Sequence, residues 1–135
     1  MTYHTRKWWL ISIGWCMLIA FATRAPFLTG DATEAMLDVS LWNAEIVNYL
    51  LRKGAHVTAF GLLALFFWLA MRGKHYSYVL AWCLASLYGA MDEWHQSFLP
   101  ERTSSISDVF IDSGGALVML LIVYFVYSRH SDRKR

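Results

Sequence analysis

The sequence predicts an all-α fold: a polytopic membrane protein with four transmembrane helices in a compact bundle and both termini inside (N-in/C-in). Three observations predict it. The 135-residue chain is 57% hydrophobic and only 16% charged, with seven Trp, seven Tyr and eight Phe, more apolar surface than a soluble domain of this size buries. Its apolar residues gather into four long runs. Its basic residues stand at the ends of those runs, where they orient membrane helices. The net charge of +2 is slight, and without a contiguous basic patch no nucleic-acid partner is expected. No repeat or low-complexity linker divides residues 1–135, which read as a single domain. Cys16 and Cys83 lie inside apolar runs and read as free thiols packed as small hydrophobes.

Segment one covers about residues 8–23, after Arg6 and Lys7. The basic start, apolar core and Ala20-Phe21-Ala22 also imitate a signal peptide. The further spans and the interfacial pair Trp8-Trp9 favour a membrane helix instead. Residues 24–51 form the one long connection. Asp31 three residues before Glu34 looks like a helix start, and Leu41, Trp42, Ile46, Val47, Tyr49 and Leu50 read as the buried side of an interfacial helix. Segment two covers 54–71, between Arg52-Lys53 and Arg72. Segment three covers 76–91 and runs without a breaker through Gln96, until Phe98-Leu99-Pro100 ends it. Segment four covers 109–127, opened by Ser107-Asp108 and closed by Arg129 and the basic tail. All four approach the roughly 20 residues that cross a hydrocarbon core.

Placing both termini and the turn after segment two inside gives that side Arg6, Lys7, Arg72, Lys74, Arg129, Arg133, Lys134 and Arg135. The outer side receives Arg24, Arg52, Lys53 and Arg102, so eight of the twelve basic residues are inside.

This topology gathers polar residues at the outer end. Lys53 and His56 are three apart on segment two, Asp92 and Gln96 four apart on segment three, and Asp108 and Asp112 four apart on segment four, so each pair shares a helical face. Ala81, Ala85 and Gly89 repeat every four residues and run into Glu93, while Ser113, Gly114, Gly115 and Ala116 follow Asp112. Small residues at such spacing mark helix contact in membranes, which turns the acidic ends inward. His95, Glu101, Arg52 and Arg24 read as ordinary solvated rim. For the deeper His56 and Asp112 that reading is weaker, because a charge near mid-span costs roughly 2.5–3.5 kcal/mol and is usually paired or functional. An alternative is a network that only staples the helices, with Lys53 and Arg102 neutralising Glu93 and Asp108. His56, Asp92, Glu93, His95 and Asp108 carry donor atoms at no recognised ligand spacing, so neither metal nor cofactor is expected.

The array Lys53-Gly54-Ala55-His56 with Phe60-Gly61-Leu62, then Asp92-Glu93-x-x-Gln96-x-Phe98-x-Pro100-x-Arg102, then Asp108-Val109-x-x-Asp112-x-x-Gly115, resembles the VanZ-like family. These are small helical membrane proteins named for a protein linked to teicoplanin resistance. The resemblance covers about residues 45–125, and Lys53, His56, Glu93, Gln96, Arg102 and Asp108 match the family's polar signature. The chain departs from it in having Asp112 where Asn is usual, and Glu101 before Arg102 where Gly is usual. Asp112 is then either protonated in place of an amide or a charge the usual site lacks. The resemblance implies a role in the bacterial cell envelope and, in some members, reduced glycopeptide susceptibility. It implies no settled reaction.

Three function classes follow. In the first, an outward-facing site in the bacterial cytoplasmic membrane binds a cell-wall lipid precursor or a lipoglycopeptide. Lys53 and Arg102 contact phosphate or carboxylate, with His56, Glu93, Gln96, Asp108 and Asp112 around them. In the second, an intramembrane enzyme acts on a lipid-linked substrate with Glu93 or His56 as general base. No serine elbow, zinc motif or phosphate loop supports a defined reaction. The third is a transport path, which polar groups confined to one end disfavour unless a homo-oligomer completes it.

Overall fold

A computed structural model describes residues 3–24, 44–98 and 105–132. They form four helices, with no strand among the described residues: α1 Tyr3–Arg24, α2 Ala44–Met71, α3 Ser77–Gln96 and α4 Ile106–Asp132. Two helical stretches, Ile46–Met71 and Ile106–Arg129, are long and apolar enough to cross a membrane.

α2 is the hub, packing on α1, α3 and α4. α3 lies against α4 and α2 and touches α1 lightly. The residues that make α2 a hub are Phe60, Leu63, Ala64, Phe67 and Trp68, all buried. α3 meets them with small residues, since Ser77, Ala81, Ala85 and Gly89, every fourth residue, are all buried, and the same stripe ends on buried Glu93. That stripe confirms the contact face read from the sequence. α4 contributes Ala116 and Leu120 and comes closest at Gly115, where a Cβ would lie 2.7 Å from the Val57 carbonyl oxygen. Such an approach needs a residue without a side chain. Between α2 and α3 the chain reverses through Gly73 at φ 86° and Tyr76 at φ 61°.

The two ends of the helix array differ in chemistry. One is aromatic: Trp8 stacks on Phe66 at 6.1 Å, and Trp68 meets Tyr78 at 5.5 Å and Tyr127 at 5.8 Å. The other holds Lys53 and His56 of α2, Glu93 of α3, and Asp108 and Asp112 of α4. Trp15 and Tyr88 tie α1 to its neighbours between the ends, donating to the carbonyls of Ala59 and Cys16.

Several expectations need correction. α2 starts at Ala44, ten residues before the expected start of segment two, because nothing from Ala44 to Gly54 breaks a helix. Ile46, Val47, Tyr49 and Leu50 of the expected interfacial helix lie in the first turns of α2, and Ile46, Tyr49 and Leu50 there are exposed on the helix surface and not packed against the other helices. Asp31, Glu34, Leu41 and Trp42 lie outside the described residues. Cys83 is exposed on α3 while Cys16 is half-buried, so only the latter packs as a small hydrophobe.

Candidate functional site

Three helices bring charged residues to one end, where α2 and α4 are joined by ion pairs and Glu93 of α3 takes a backbone donor. α2 and α4 run so that the first part of each meets at that end, and the Lys53 ammonium pairs with the Asp108 carboxylate. One turn deeper on each helix, His56 Nδ1 lies 3.0 Å from Asp112 Oδ1. The Asp112 side chain is only 2% exposed and that of His56 is 19% exposed, so this bond is shielded from competing solvent. Offsets of three residues (Lys53/His56) and four residues (Asp108/Asp112) are each about one helical turn, so the two pairs make two rungs of one ladder.

The walls of the inner rung come from α2 and α3. The Phe60 ring stacks on His56 at 6.2 Å with 15° between planes. Gly89 closes the other side: a Cβ there would sit 3.2 Å from Phe60 Cε1 and 3.4 Å from Asp112 Oδ2. Gly89 thus lets α3 approach the carboxylate itself.

Glu93, one turn beyond Gly89, is 5% exposed. It accepts the backbone N–H of Ser105, the residue that caps α4 by accepting the Ser107 N–H on its hydroxyl. In a capping box the acid at the third helical position would take that Ser105 N–H. Here that acid is Asp108, which is engaged by Lys53, and Glu93 of α3 takes its place.

Asp92 and Gln96 face the other way, towards α1. Gln96 Nε2 donates to Asp92 Oδ2 at 3.0 Å, and Thr23 Oγ1 reaches Asp92 Oδ1 at 3.2 Å. Both α3 residues are 5% exposed. Gln96 therefore belongs to a second cluster and not to the first, and Asp92 is an interior group. His95 and Arg24 are exposed, in agreement with a rim position. Arg102 and Glu101 lie outside the described residues.

The expected site residues are thus brought together in part: Lys53, His56, Glu93, Asp108 and Asp112 form one cluster, and Gln96 joins Asp92. Sequence reasoning missed Thr23 and Ser105. Ser105 was recoverable, since Ser105-x-x-Asp108 is a helix-start signature, while one Thr at a helix end carries no such signal. Among the described residues no group of three or more His, Cys, Asp or Glu is arranged to hold a metal ion.

A family model, VanZ/LLP1, matches residues 4–127. The chain belongs to the VanZ/LLP1 family. No curated protein and no solved structure was found to match it. The VanZ/LLP1 match takes in α1, which the sequence resemblance over 45–125 leaves out, and so includes the helix that gives Thr23 to Asp92. VanZ/LLP1 membership and the two long apolar helices together point to a membrane protein.

Proposed function

We propose that this VanZ/LLP1 protein crosses the bacterial cytoplasmic membrane four times, N-in/C-in, and that its polar end faces outward to bind the headgroup of a cell-wall lipid or a lipoglycopeptide. The observation that carries this reading is the two-rung ladder Lys53–Asp108 and His56–Asp112, with Glu93 beside it. Ionisable groups recessed in an apolar helix array are costly and are retained chiefly where they bind or relay something. Lys53 supplies a cation for phosphate or carboxylate, and Asp108 and Glu93 accept ligand donors. Arg102, by its place in the family's signature, would add a second cation. Glycopeptide susceptibility as the phenotype comes from the family resemblance.

The experiment is deletion and complementation, scoring teicoplanin susceptibility and retention of envelope lipids by purified protein for wild type, Lys53→Ala and Glu93→Gln. Loss of both readouts in the variants at normal expression supports the reading, and unchanged readouts overturn it. A second reading, a staple without a ligand, is favoured by one observation: each described member of the ladder already has a partner within the protein. In that case the variants lose thermal stability while the wild type retains no lipid.

A further inference from the structure

The charges at the polar end stand at a level where the outside of the helices is apolar. On α4, Phe110 lies between Asp108 and Asp112 in sequence and is 73% exposed, and Ile106, ahead of Asp108, is 78% exposed. On α3, Trp94 follows Glu93 and is 68% exposed, and its ring meets that of Phe98 at 5.6 Å. Outward-facing aromatic and aliphatic residues mark the depth at which lipid, not water, surrounds a membrane helix. A ligand that reaches these charges from the side therefore comes from the bilayer.

The ladder is not uniformly closed. Asp112 is sealed at 2% exposure, whereas Lys53 and Asp108 are 23% and 15% exposed. Lys53 stands one turn before Val57, the point at which α2 touches Gly115 of α4. The outer rung thus spans the two helices beyond their backbone contact, by a long flexible side chain. Its charges sum to zero, and Glu93 and Asp112 stand behind it.

That arrangement selects a class of ligand. A headgroup with one phosphate and one ammonium replaces the ion pair charge for charge, phosphate on Lys53 Nζ and ammonium N–H on the Asp108 carboxylate. An anionic headgroup would leave Asp108 and its acidic neighbours facing a phosphate. A quaternary ammonium has no N–H for Asp108. We propose that Lys53 and Asp108 form an exchangeable ion pair that admits a membrane lipid bearing a phosphate and a primary ammonium, entering sideways between α2 and α4. This rests on the reading of the polar end as a headgroup site and names the lipid chemistry that it takes.

The test is native mass spectrometry of the full chain with phosphatidylethanolamine, phosphatidylglycerol and phosphatidylcholine of identical acyl chains, and with soluble phosphoethanolamine as competitor. Retention of phosphatidylethanolamine should exceed that of the other two by about tenfold, the factor for one charge-assisted hydrogen bond. Lys53→Met/Asp108→Leu, which removes both charges and strands neither, should fold and lose the preference. Equal or better retention of phosphatidylglycerol overturns the proposal while leaving a headgroup site in place, as does persistence of the preference in the double variant. Competition by soluble phosphoethanolamine overturns entry from the bilayer. Retention of no lipid at all overturns the headgroup reading with it.

Discussion

Asp112 shows what a single carboxylate costs and contributes in this setting. Its side chain is 2% exposed and its described partner is the His56 ring. Removing one member of a buried pair strands the other, which costs about 3–5 kcal/mol in well-buried cases. Asp112→Ala should therefore lower stability by about 3 kcal/mol, read as a large drop in melting temperature in mild detergent. Asp112→Asn keeps an oxygen acceptor for Nδ1–H and should stay within about 1 kcal/mol of wild type. Equal losses in the two variants would show that shape, not the hydrogen bond, holds the rung. Glu93→Gln still accepts the Ser105 N–H and should stay within about 1 kcal/mol of wild type, whereas Glu93→Ala strands that donor and should cost about 1–3 kcal/mol, read by thermal unfolding in mild detergent. A Glu93→Gln loss as large as that of Glu93→Ala would show that the hydrogen bond to Ser105 is not what holds Glu93. The residue types of the ladder were legible in the sequence, because three- and four-residue spacing puts pairs on one face. Which acid meets which base was not. Glu93 loses Lys53 to Asp108 and turns to a backbone donor, a choice set by the relative rotation of helices that spacing alone does not fix.

At the level of whole elements, helix existence followed from long unbroken apolar runs, and helix ends from the local chemistry at each terminus. α3 ends at Gln96, close to where Phe98-Leu99-Pro100 stops the periodic run. α2 was misjudged because Arg52, Lys53 and Gly54 look like a boundary. Charge and a single Gly weaken a helix interior only mildly, and the helix runs through them from Ala44. The small residues of α4 divide by function in a way that the sequence did not foretell. Gly115 abuts the Val57 backbone, whereas a Cβ on Gly114 would meet nothing within 4 Å. Gly115→Ala should then destabilise by about 1–3 kcal/mol as α2 and α4 are forced apart. Gly114→Ala should be neutral, or stabilising by up to about 1 kcal/mol through helix propensity. Thermal unfolding of both variants checks this, and an equal effect at the two positions would remove Gly115 as the crossing point. Because the crossing lies just below the Lys53–Asp108 pair, Gly115→Ala should also weaken lipid retention, which Gly114→Ala should leave alone.

For the molecule as a whole, helix packing and the placing of charge bear on how many helices cross the bilayer and which way they run. α2 and α4 are apolar enough to cross on their own account. α3, at 20 residues, is about 30 Å long, which just matches a hydrocarbon core. Its last turn carries Asp92, Glu93 and Gln96, which dilute its apolar character, yet it packs between α2 and α4 along much of its length through Ala81, Ala85 and Gly89. In the proposed four-span arrangement, a helix wedged in that way crosses with its neighbours. α1 lies against α2 through Trp8, Trp15 and Phe66, and reaches the polar end at Thr23. The two rungs and the Glu93–Ser105 bond bring the first half of α2 and the start of α4 to the same end as the last turn of α3, so the α2–α3 turn with Arg72 and Lys74 lies at the opposite end. In the proposed orientation the basic-residue bias puts that opposite end in the cytoplasm. In a chain with Cys16→Ser and Cys83→Ser, Glu101→Cys, at a position expected on the solvated rim, should react with an impermeant maleimide on intact cells, and Lys74→Cys only after permeabilisation. The reverse pattern would turn the polar end towards the cytoplasm and end the case for an extracytoplasmic ligand. Labelling of both from outside would mean that α3 does not cross, and the bundle would have to be rebuilt around α2 and α4 alone.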